Sequence, residues 1–169
     1  HRWYDANIIP VPDEHGEIAL VVATAKDITE RKQNELDLSH RAFHDALTGL
    51  PNRVLFQEHL AQALAHVRRS RQMLAVLYLD IDDFKLINDS MGHHAGDTYL
   101  RVMAERIRGC LRQSDSFARM GGDEFTILLS TVDSLESVVL VVKRIFQALQ
   151  VPWKFENQEF VSTISMGIS

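Results

Sequence analysis

One stretch of sequence governs the interpretation of the chain: Arg119-Met120-Gly121-Gly122-Asp123-Glu124-Phe125. It lies between two apolar runs, 116–118 and 125–129, which predict the strands of a β-hairpin with a Gly-rich connection. A Gly-Gly backbone can turn tightly because glycine takes positive φ without steric cost. The carboxylates of Asp123 and Glu124 at the tip suit an anionic ligand that needs close main-chain approach and a metal. A solvated acidic turn is the alternative on this segment alone.

The composition is that of an ordinary globular protein. Of the 169 residues, 46% are hydrophobic and 24% are charged, which is enough for one domain and an attached segment. The net charge of −5 offers no basic field, so we expect no nucleic-acid partner. The single cysteine, Cys110, excludes an intramolecular disulfide framework and favours a cytoplasmic location. We expect no membrane segment, although a longer parent protein could be membrane-attached.

The N-terminal part predicts two small pieces outside the main domain. Residues 1–27 predict two strands around a turn, a pair that is too small to be stable alone. The stretch Asp27-Ile28-Thr29-Glu30 has the pattern of a helix N-terminus and predicts a linker helix over 28–44. Apolar residues of this helix lie near heptad spacing, which favours pairing with a second copy of the chain. They are Ile28, Leu36 and Phe43.

Polar residues at helix starts predict three further helices. Asn52 and Ser134 each precede an amphipathic run and are typical helix caps. The glycine-containing segment 92–97 predicts a turn, after which Asp97 caps another helix. The inward residues expected after Ser134 are Leu135, Val138, Val139, Val142, Ile145, Phe146 and Leu149. Residues 153–155 and 159–164, with a turn at Glu156-Asn157-Gln158, predict a second hairpin.

An acidic residue interrupts the most apolar run of the chain. Residues 73–81 are nearly all apolar, which predicts a central strand buried on both faces. Charges favourable to a helix dipole would explain Asp82 and Asp83, which follow directly. They do not explain Asp80, which lies inside the strand pattern and whose burial costs free energy without a partner. We therefore expect Asp80 to face a cation or strong hydrogen-bond donors.

Several ordered motifs together resemble a known family. From Asp45 to Ser169 the chain resembles a GGDEF domain, the catalytic module of diguanylate cyclases. The matching segments are Asp45 with 47–53, then 80–89, 92–97 and 121–125. Residues 1–27 and the linker 28–44 resemble the C-terminal part of a PAS sensory domain and its exit helix. The C-terminal strand and helix of the family would follow Ser169, so the resemblance implies a C-terminally truncated domain.

The resemblance implies an α+β fold, a palm-like central antiparallel sheet flanked by helices. It implies that a homodimer condenses two GTP into cyclic di-GMP and two pyrophosphates, under PAS control and with product inhibition. The dimer would form through the GGDEF faces and the PAS linker. Without the missing C-terminal elements, the chain is expected to bind GTP weakly or to be inactive. The alternative is a GTP-binding, non-catalytic domain that regulates an attached cyclic di-GMP phosphodiesterase.

The resemblance also implies a metal site. Asp80, the carbonyl of Ile81 and Asp123 would bind Mg²⁺ or Mn²⁺, with phosphate oxygens as further ligands. Glu124 would assist the metals. Asp123 is the proton acceptor proposed in the family, although a metal-bound carboxylate is a poor base.

The other functional residues implied by the resemblance surround the nucleotides. Asn88 and Asp97 would recognise the guanine edge, since an amide and a carboxylate match its donors and acceptors. Arg112 and Asp115 match the family's product-inhibition site, where arginine binds guanine and phosphate. A surface ion pair is the alternative for these two residues. The residues implied near the phosphates are Asp83, Phe84, Lys85, Gly121 and Gly122.

Overall fold

The computed structural model describes residues 1–70, 72–156, 158–161 and 163–169, and for Leu36 and Gln158 only the backbone. The predicted heptad position at Leu36 therefore lies outside the described side chains. The chain divides into two compact units, residues 1–42 and 43–169. The proposed domain boundaries at 27 and 44 remain predictions.

The first unit contains a hairpin and most of a helix. Strands β1 (Tyr4–Pro12) and β2 (Ile18–Asp27) are antiparallel, and helix α1 (Thr29–Phe43) follows. The Asp27 carboxylate accepts a 2.9 Å hydrogen bond from the Thr29 N–H, which confirms the predicted helix start. Every residue of both strands is exposed. The hairpin thus has no core of its own.

The second unit has an α+β fold. Its helices are α2 (Arg53–Ser70), α3 (Phe84–Met91), α4 (His93–Gly109) and α5 (Leu135–Leu149). Its strands are β3 (Met73–Ile81), β4 (Ser116–Gly121), β5 (Glu124–Val132), β6 (Trp153–Phe155), β7 (Gln158–Phe160) and β8 (Ile164–Ile168). Strands β4, β5, β3 and β8 form an antiparallel sheet in that order, and β6 pairs with β7. The predicted central antiparallel sheet flanked by helices is confirmed.

Strand β3 is central in the sheet but is not buried on both faces along its whole length. Leu77 and Leu79 lie in the main core under α4 and α5, whereas Tyr78 is 57% exposed and Asp80 is also exposed. On that second face α2 packs only over the first half of the strand, at Val76. The prediction that Asp80 is buried is therefore wrong, because its face is uncovered beyond the end of the α2 contact.

Two of the predicted helix caps are present. Asn52 accepts a 2.9 Å hydrogen bond from the Val54 N–H at the start of α2, and Ser134 caps α5 by accepting from Ser137. The predicted inward face of α5 is only partly buried, since Leu135 is 68% exposed. Among the described residues, no helix combines the length and apolar character needed to cross a bilayer.

The third predicted cap is wrong. Helix α4 begins at His93, so Asp97 lies in its second turn and 92–97 is not a separate turn. Gly92 ends α3 and directly begins α4, with a φ of 83° that a glycine adopts without strain. The chain therefore needs no longer connection between these helices.

The predicted second hairpin is shorter than expected. Strands β6 and β7 form it, with Trp153 opposite Phe160. The predicted turn residue Asn157 lies outside the described residues. Ile164, expected in the same hairpin, instead begins β8 and pairs with Ile81 in the central sheet. The last strand of the sequence therefore pairs with the free edge of β3.

Candidate functional site

The connection between β4 and β5 is a two-residue loop, Gly122 and Asp123, because Gly121 pairs with Glu124. Gly121 and Gly122 have φ of 144° and 54°, in the range that favours glycine. Only the first loop residue has positive φ, as in the type II′ turns of tight hairpins. Asp123 therefore lies at the tip of the hairpin, as the sequence predicts.

Three carboxylates converge at this edge of the sheet. Asp80 is directly opposite Glu124, and side chains of opposite residues share one face about 5 Å apart. Partial desolvation raises the pKa of Asp80, and the negative charges of Asp123, Glu124 and Asp82 raise it further. Strand pairing places Glu124 opposite Asp80, and Asp123 directly precedes Glu124 in the hairpin loop. We call Asp80, Asp123 and Glu124 the acidic cluster.

The acidic cluster has no cationic side chain bound to it in the described part of the chain, whose salt bridges all lie elsewhere. Within the same residues, no group of three or more His, Cys, Asp or Glu side chains is arranged to hold a metal ion. The predicted site needs only two carboxylates and the Ile81 carbonyl from the protein. Such an all-oxygen donor set suits Mg²⁺ or Mn²⁺ when other oxygens complete the shell.

Asp82 has partners that the sequence did not reveal. Its carboxylate accepts hydrogen bonds from the Thr163 and Ser165 hydroxyls at 2.5 and 2.7 Å. These two hydroxyls lower the pKa of Asp82. Asp82 therefore links the end of β3 to Ser165 of β8 and to Thr163, the residue just before that strand. The alternation of hydroxyls at 163 and 165 is the one signal in the sequence that fits this arrangement.

The backbone turns sharply between β3 and α3. Asp83 has φ 57° and ψ 24°, a left-handed conformation that is uncommon outside glycine, and its side chain makes no cap. Phe84 stacks on Tyr99 with 6.5 Å between ring centroids, while Lys85 is exposed. The Leu86 N–H donates to the Asp83 carbonyl at 2.8 Å. The N–H groups of Phe84 and Lys85, which have no partner within a helix at its first positions, thus follow directly on the acidic end of β3.

The two predicted guanine-binding residues lie on adjacent helices. A Cβ atom added at Gly96 would be 2.1 Å from the Asn88 Oδ1 atom, so the Asn88 side chain lies directly over that glycine. Asp97 is the next residue of α4, and both Asn88 and Asp97 are half-buried. The absence of a side chain at Gly96 therefore lets α3 and α4 approach closely at Asn88, next to the position of Asp97.

Arg112 and Asp115 lie at the rim of a cavity of about 840 Å³, which is also lined by Arg108, His59 and His66. The Asp115 carboxylate accepts a 2.9 Å hydrogen bond from the Arg112 backbone N–H. Among the described residues the pair makes this contact and not the ion pair considered as an alternative. The bond closes the turn before β4.

Sequence reasoning assigned no role to the pair of Arg119 and Asp45. The Arg119 Nη1 donates to both carboxylate oxygens of Asp45 at 3.0 and 3.2 Å. Its Nε and Nη2 donate to the Gly122 carbonyl at 2.9 and 2.7 Å. The two side chains are only 11% and 23% exposed. Both residues stand within the quoted motifs, but 74 positions apart, so no local pattern connects them.

The fold and the acidic hairpin define a class of protein. A family model described as "Diguanylate cyclase, GGDEF domain" matches residues 42–169. The chain belongs to the GGDEF family.

Individual relatives agree with this assignment. The diguanylate cyclase TpbB of Pseudomonas aeruginosa is 45% identical over 141 residues, which are 82% of this chain and 32% of that protein. The cyclic di-GMP phosphodiesterase NbdA of the same species is 41% identical over 141 residues, 80% of this chain and 18% of that protein. The chain thus spans a third or less of the length of these curated relatives.

Solved structures show the same fold. The GGDEF domain of TpbB superposes with a TM-score of 0.72 at 44% identity, covering 74% of this chain and 73% of that chain. The coiled coil and GGDEF domain of DgcB from Caulobacter crescentus, in complex with c-di-GMP, gives a TM-score of 0.73 at 28% identity. That match covers 82% of this chain and 75% of that one.

Proposed function

We propose that the protein is a diguanylate cyclase, which condenses two GTP into cyclic di-GMP and releases two pyrophosphates. The observation that carries this proposal is the acidic cluster, three carboxylates without a bound cationic side chain in the described residues. Like charges held together cost free energy, and a perturbed acid in such a setting is typical of a functional site. The family assignment supports the same reaction.

In this proposal Asp80, Asp123 and the Ile81 carbonyl hold Mg²⁺ or Mn²⁺, and Glu124 assists. When bound, the metal stabilises the charge on the attacking 3′-oxygen and on the leaving pyrophosphate. The strand pairing of Asp80 with Glu124 supports this assignment, because it fixes the backbone on both sides of the site. Asp123 is also the proposed proton acceptor, although metal ligation makes a carboxylate a weaker base.

The nucleotide is proposed to lie along the junction of α3 and α4. Asn88 and Asp97 would bind the guanine edge there, and their half-buried positions on adjacent helices support this assignment. The phosphates would meet the first turn of α3, where unpaired N–H groups favour an anion. The residues proposed to contact them are Asp83, Phe84, Lys85, Gly121 and Gly122.

Two copies of the domain are proposed to act together, because each GTP must present its 3′-hydroxyl to the α-phosphate of the other. Residues 1–27 are proposed to belong to a PAS domain that controls activity, 28–44 to a linker helix, and 45–169 to the GGDEF domain. The exposed apolar residues of β1 and β2, Ile8 and Val21 among them, support a larger first domain that covers them.

The decisive experiment incubates the full-length protein with GTP and Mg²⁺ and separates the products by chromatography. Cyclic di-GMP is the expected product, and its absence over many turnovers would overturn the proposal. GTP binding without product would instead favour the second candidate, a regulatory domain of an attached phosphodiesterase. The similarity to NbdA is the observation that favours this alternative.

Arg112 and Asp115 are proposed to form a product-inhibition site. The adjoining cavity and its basic residues Arg108 and Arg112 support an anionic ligand. We expect Arg112→Ala to weaken inhibition by cyclic di-GMP about tenfold or more, as the loss of a charged hydrogen bond predicts, while initial turnover changes little. Gln113→Ala, which alters a neighbouring residue of the same cavity, is the matched control. Unchanged inhibition in Arg112→Ala would remove the assignment.

A further inference from the structure

The last residue of α1 and the segment that leads to α2 form a closed loop, residues 43–52, which we call the entry loop. The Asn52 N–H donates to the Phe43 carbonyl at 2.9 Å, so the two ends of the loop meet. Inside it, the Asp45 carboxylate accepts from the N–H and the hydroxyl of Thr48 at 2.8 and 2.6 Å. Leu50 is 1% exposed and anchors the loop in the core. The entry loop therefore behaves as one packed body directly after α1.

Arg119 joins the entry loop to the hairpin through both its backbone and its side chain. The Arg119 N–H donates to the Pro51 carbonyl at 3.0 Å. The guanidinium binds the Asp45 carboxylate on one side and the Gly122 carbonyl on the other. A mostly buried guanidinium with all of these bonds has a fixed orientation, because its donors are coplanar and charge-assisted.

The Gly122 carbonyl is the atom through which this contact reaches the acidic cluster. That oxygen belongs to the planar peptide group that continues into the Asp123 nitrogen. Fixing it therefore limits the directions in which Asp123 can leave the loop. Without this contact, the two glycines before Asp123 would allow the loop many backbone conformations.

We propose that Arg119 and Asp45 are positioning residues that set the conformation of the hairpin loop, so that a displacement of the entry loop moves Asp123. Arg119 acts through the Gly122 carbonyl, and Asp45 acts by orienting Arg119. The catalytic consequence rests on the proposed function, whereas the structural link does not.

The first test measures amide hydrogen exchange in the full-length protein. In Asp45→Asn and Arg119→Lys we expect the amides of residues 119–125 to exchange about tenfold faster, since local opening becomes easier. The amides of α5 should be unchanged. Lys154→Gln, which removes an exposed ion pair with Glu159 in another hairpin, is the control. Wild-type exchange at 119–125 in both variants would overturn the proposal.

A charge swap separates positioning from simple stabilisation. The double variant Asp45→Arg/Arg119→Asp can rebuild an ion pair, but an aspartate at 119 cannot donate to the Gly122 carbonyl. We expect its melting temperature to be higher than that of either single variant. Amide exchange at 119–125 should nevertheless be as fast as in the single variants, and the affinity for Mn²⁺ alone should be at least about fivefold below that of the wild type. Recovery of wild-type exchange and Mn²⁺ affinity in the swap would overturn the positioning role.

The two measurements also distinguish this proposal from the function on which it rests. If the wild-type protein binds no Mn²⁺ and forms no cyclic di-GMP, the proposed cyclase is wrong, and the exchange data still decide whether Arg119 holds the loop. If the wild type is active and Arg119→Lys has normal kcat, KM and loop exchange, the cyclase stands and the positioning role is wrong.

Discussion

The acidic cluster and the entry loop place carboxylates in opposite electrostatic settings within one domain. In the entry loop, burial opposes the ionised form of Asp45, but hydrogen bonds from Thr48 and Arg119 outweigh it and lower its pKa. In the acidic cluster, desolvation and neighbouring charges both raise the pKa of Asp80. The protein thus provides hydrogen-bond donors and a cation to the carboxylate of Asp45. In the described residues the acidic cluster has no bound cationic side chain, which is the arrangement that the proposed metal site requires.

Asp123→Ala gives the largest expected effect on this comparison. If the acidic cluster serves an external cation, turnover of GTP to cyclic di-GMP should fall by at least about 100-fold, because the metal stabilises several kcal/mol of transition-state charge. The melting temperature should hardly change, since the residue lies at a hairpin tip outside the core. Product formation and thermal unfolding are measured on the same preparation.

The control for Asp123→Ala is Asp89→Ala, which removes an exposed acid of α3 from the same part of the domain. It should leave turnover within about twofold, because surface substitutions away from a site have small effects. Equal loss in both variants would mean that general negative charge matters and not the position of Asp123. Full activity of Asp123→Ala would end the metal assignment.

Gly96→Ala tests whether the packing of Asn88 against α4 matters for GTP binding. Its methyl group would lie 2.1 Å from the Asn88 Oδ1 atom and 3.2 Å from a Phe84 ring carbon. The amide must therefore move, and we expect GTP affinity to fall about tenfold and stability by about 1–3 kcal/mol through overpacking. Calorimetric titration with GTP and urea unfolding measure the two effects.

The matched control is Gly109→Ala on the same helix, where an added Cβ atom meets nothing within 4 Å. It should be neutral or slightly stabilising, since alanine favours helix over glycine. If both alanine variants bind GTP normally, the assignment of Asn88 to guanine is wrong.

The sequence predicts the elements of this fold better than their relations in space. The hairpin at Gly122 and the caps at Asn52 and Ser134 follow from local chemistry, because a turn or a cap depends on adjacent residues. The burial of Asp80 was predicted wrongly because an apolar run does not show how far α2 covers the sheet. The contact of Asp45 with Arg119 depends on chain topology, which no short pattern encodes.

The same limit applies to the site. The acidic cluster was predicted because its members stand in motifs, and strand pairing then brings them together. The wrong cap at Asp97 has a local cause, since a single glycine at Gly92 can end one helix and begin the next. The partners of Asp82 lie at the start of β8 and just before it, about 80 positions away. The motif around Asp82 therefore gave no indication of Thr163 and Ser165.

Asp45→Asn tests the entry loop, whose carboxylate has hydrogen-bond partners within the protein. The substitution removes a charge-assisted bond to Arg119 in a mostly buried place, so we expect a loss of about 1–2 kcal/mol of unfolding free energy at pH 7. Because the pKa of Asp45 is lowered by folding, this contribution is fully present above its unfolded pKa. It is lost as the pH falls through the lower folded value.

Urea unfolding of wild type and Asp45→Asn from pH 7 to pH 3 measures this dependence. The two curves should approach each other as the pH falls below the unfolded pKa of Asp45, and they should meet only below its lowered folded pKa, where the wild-type carboxyl is also neutral. A difference that stays constant over the whole range would show that shape, and not charge, makes the contact with Arg119 important.

Asp80→Asn has the smallest expected effect, and its effect on the free energy of unfolding is opposite in sign to that of Asp45→Asn. Folding raises the pKa of Asp80, so its ionised form opposes folding at neutral pH, and wild-type stability rises as the pH falls through that raised value. In a chelator without metal, the asparagine variant should be more stable by at most about 0.5 kcal/mol, because the group is exposed and screened. The gain should shrink in high salt and disappear in acid.

Asp82→Asn, two positions further along the same chain, should change stability in the opposite direction. Its carboxylate accepts from the hydroxyls of Thr163 and Ser165, and folding lowers its pKa, so the charged form favours the folded state above its unfolded pKa. Chemical unfolding of both variants under identical metal-free conditions decides the matter. If Asp80→Asn destabilises the protein as Asp82→Asn does, then Asp80 has a stabilising partner within the chain. The contrast between acids that have hydrogen-bond partners in the protein and the acids of the acidic cluster would then be wrong.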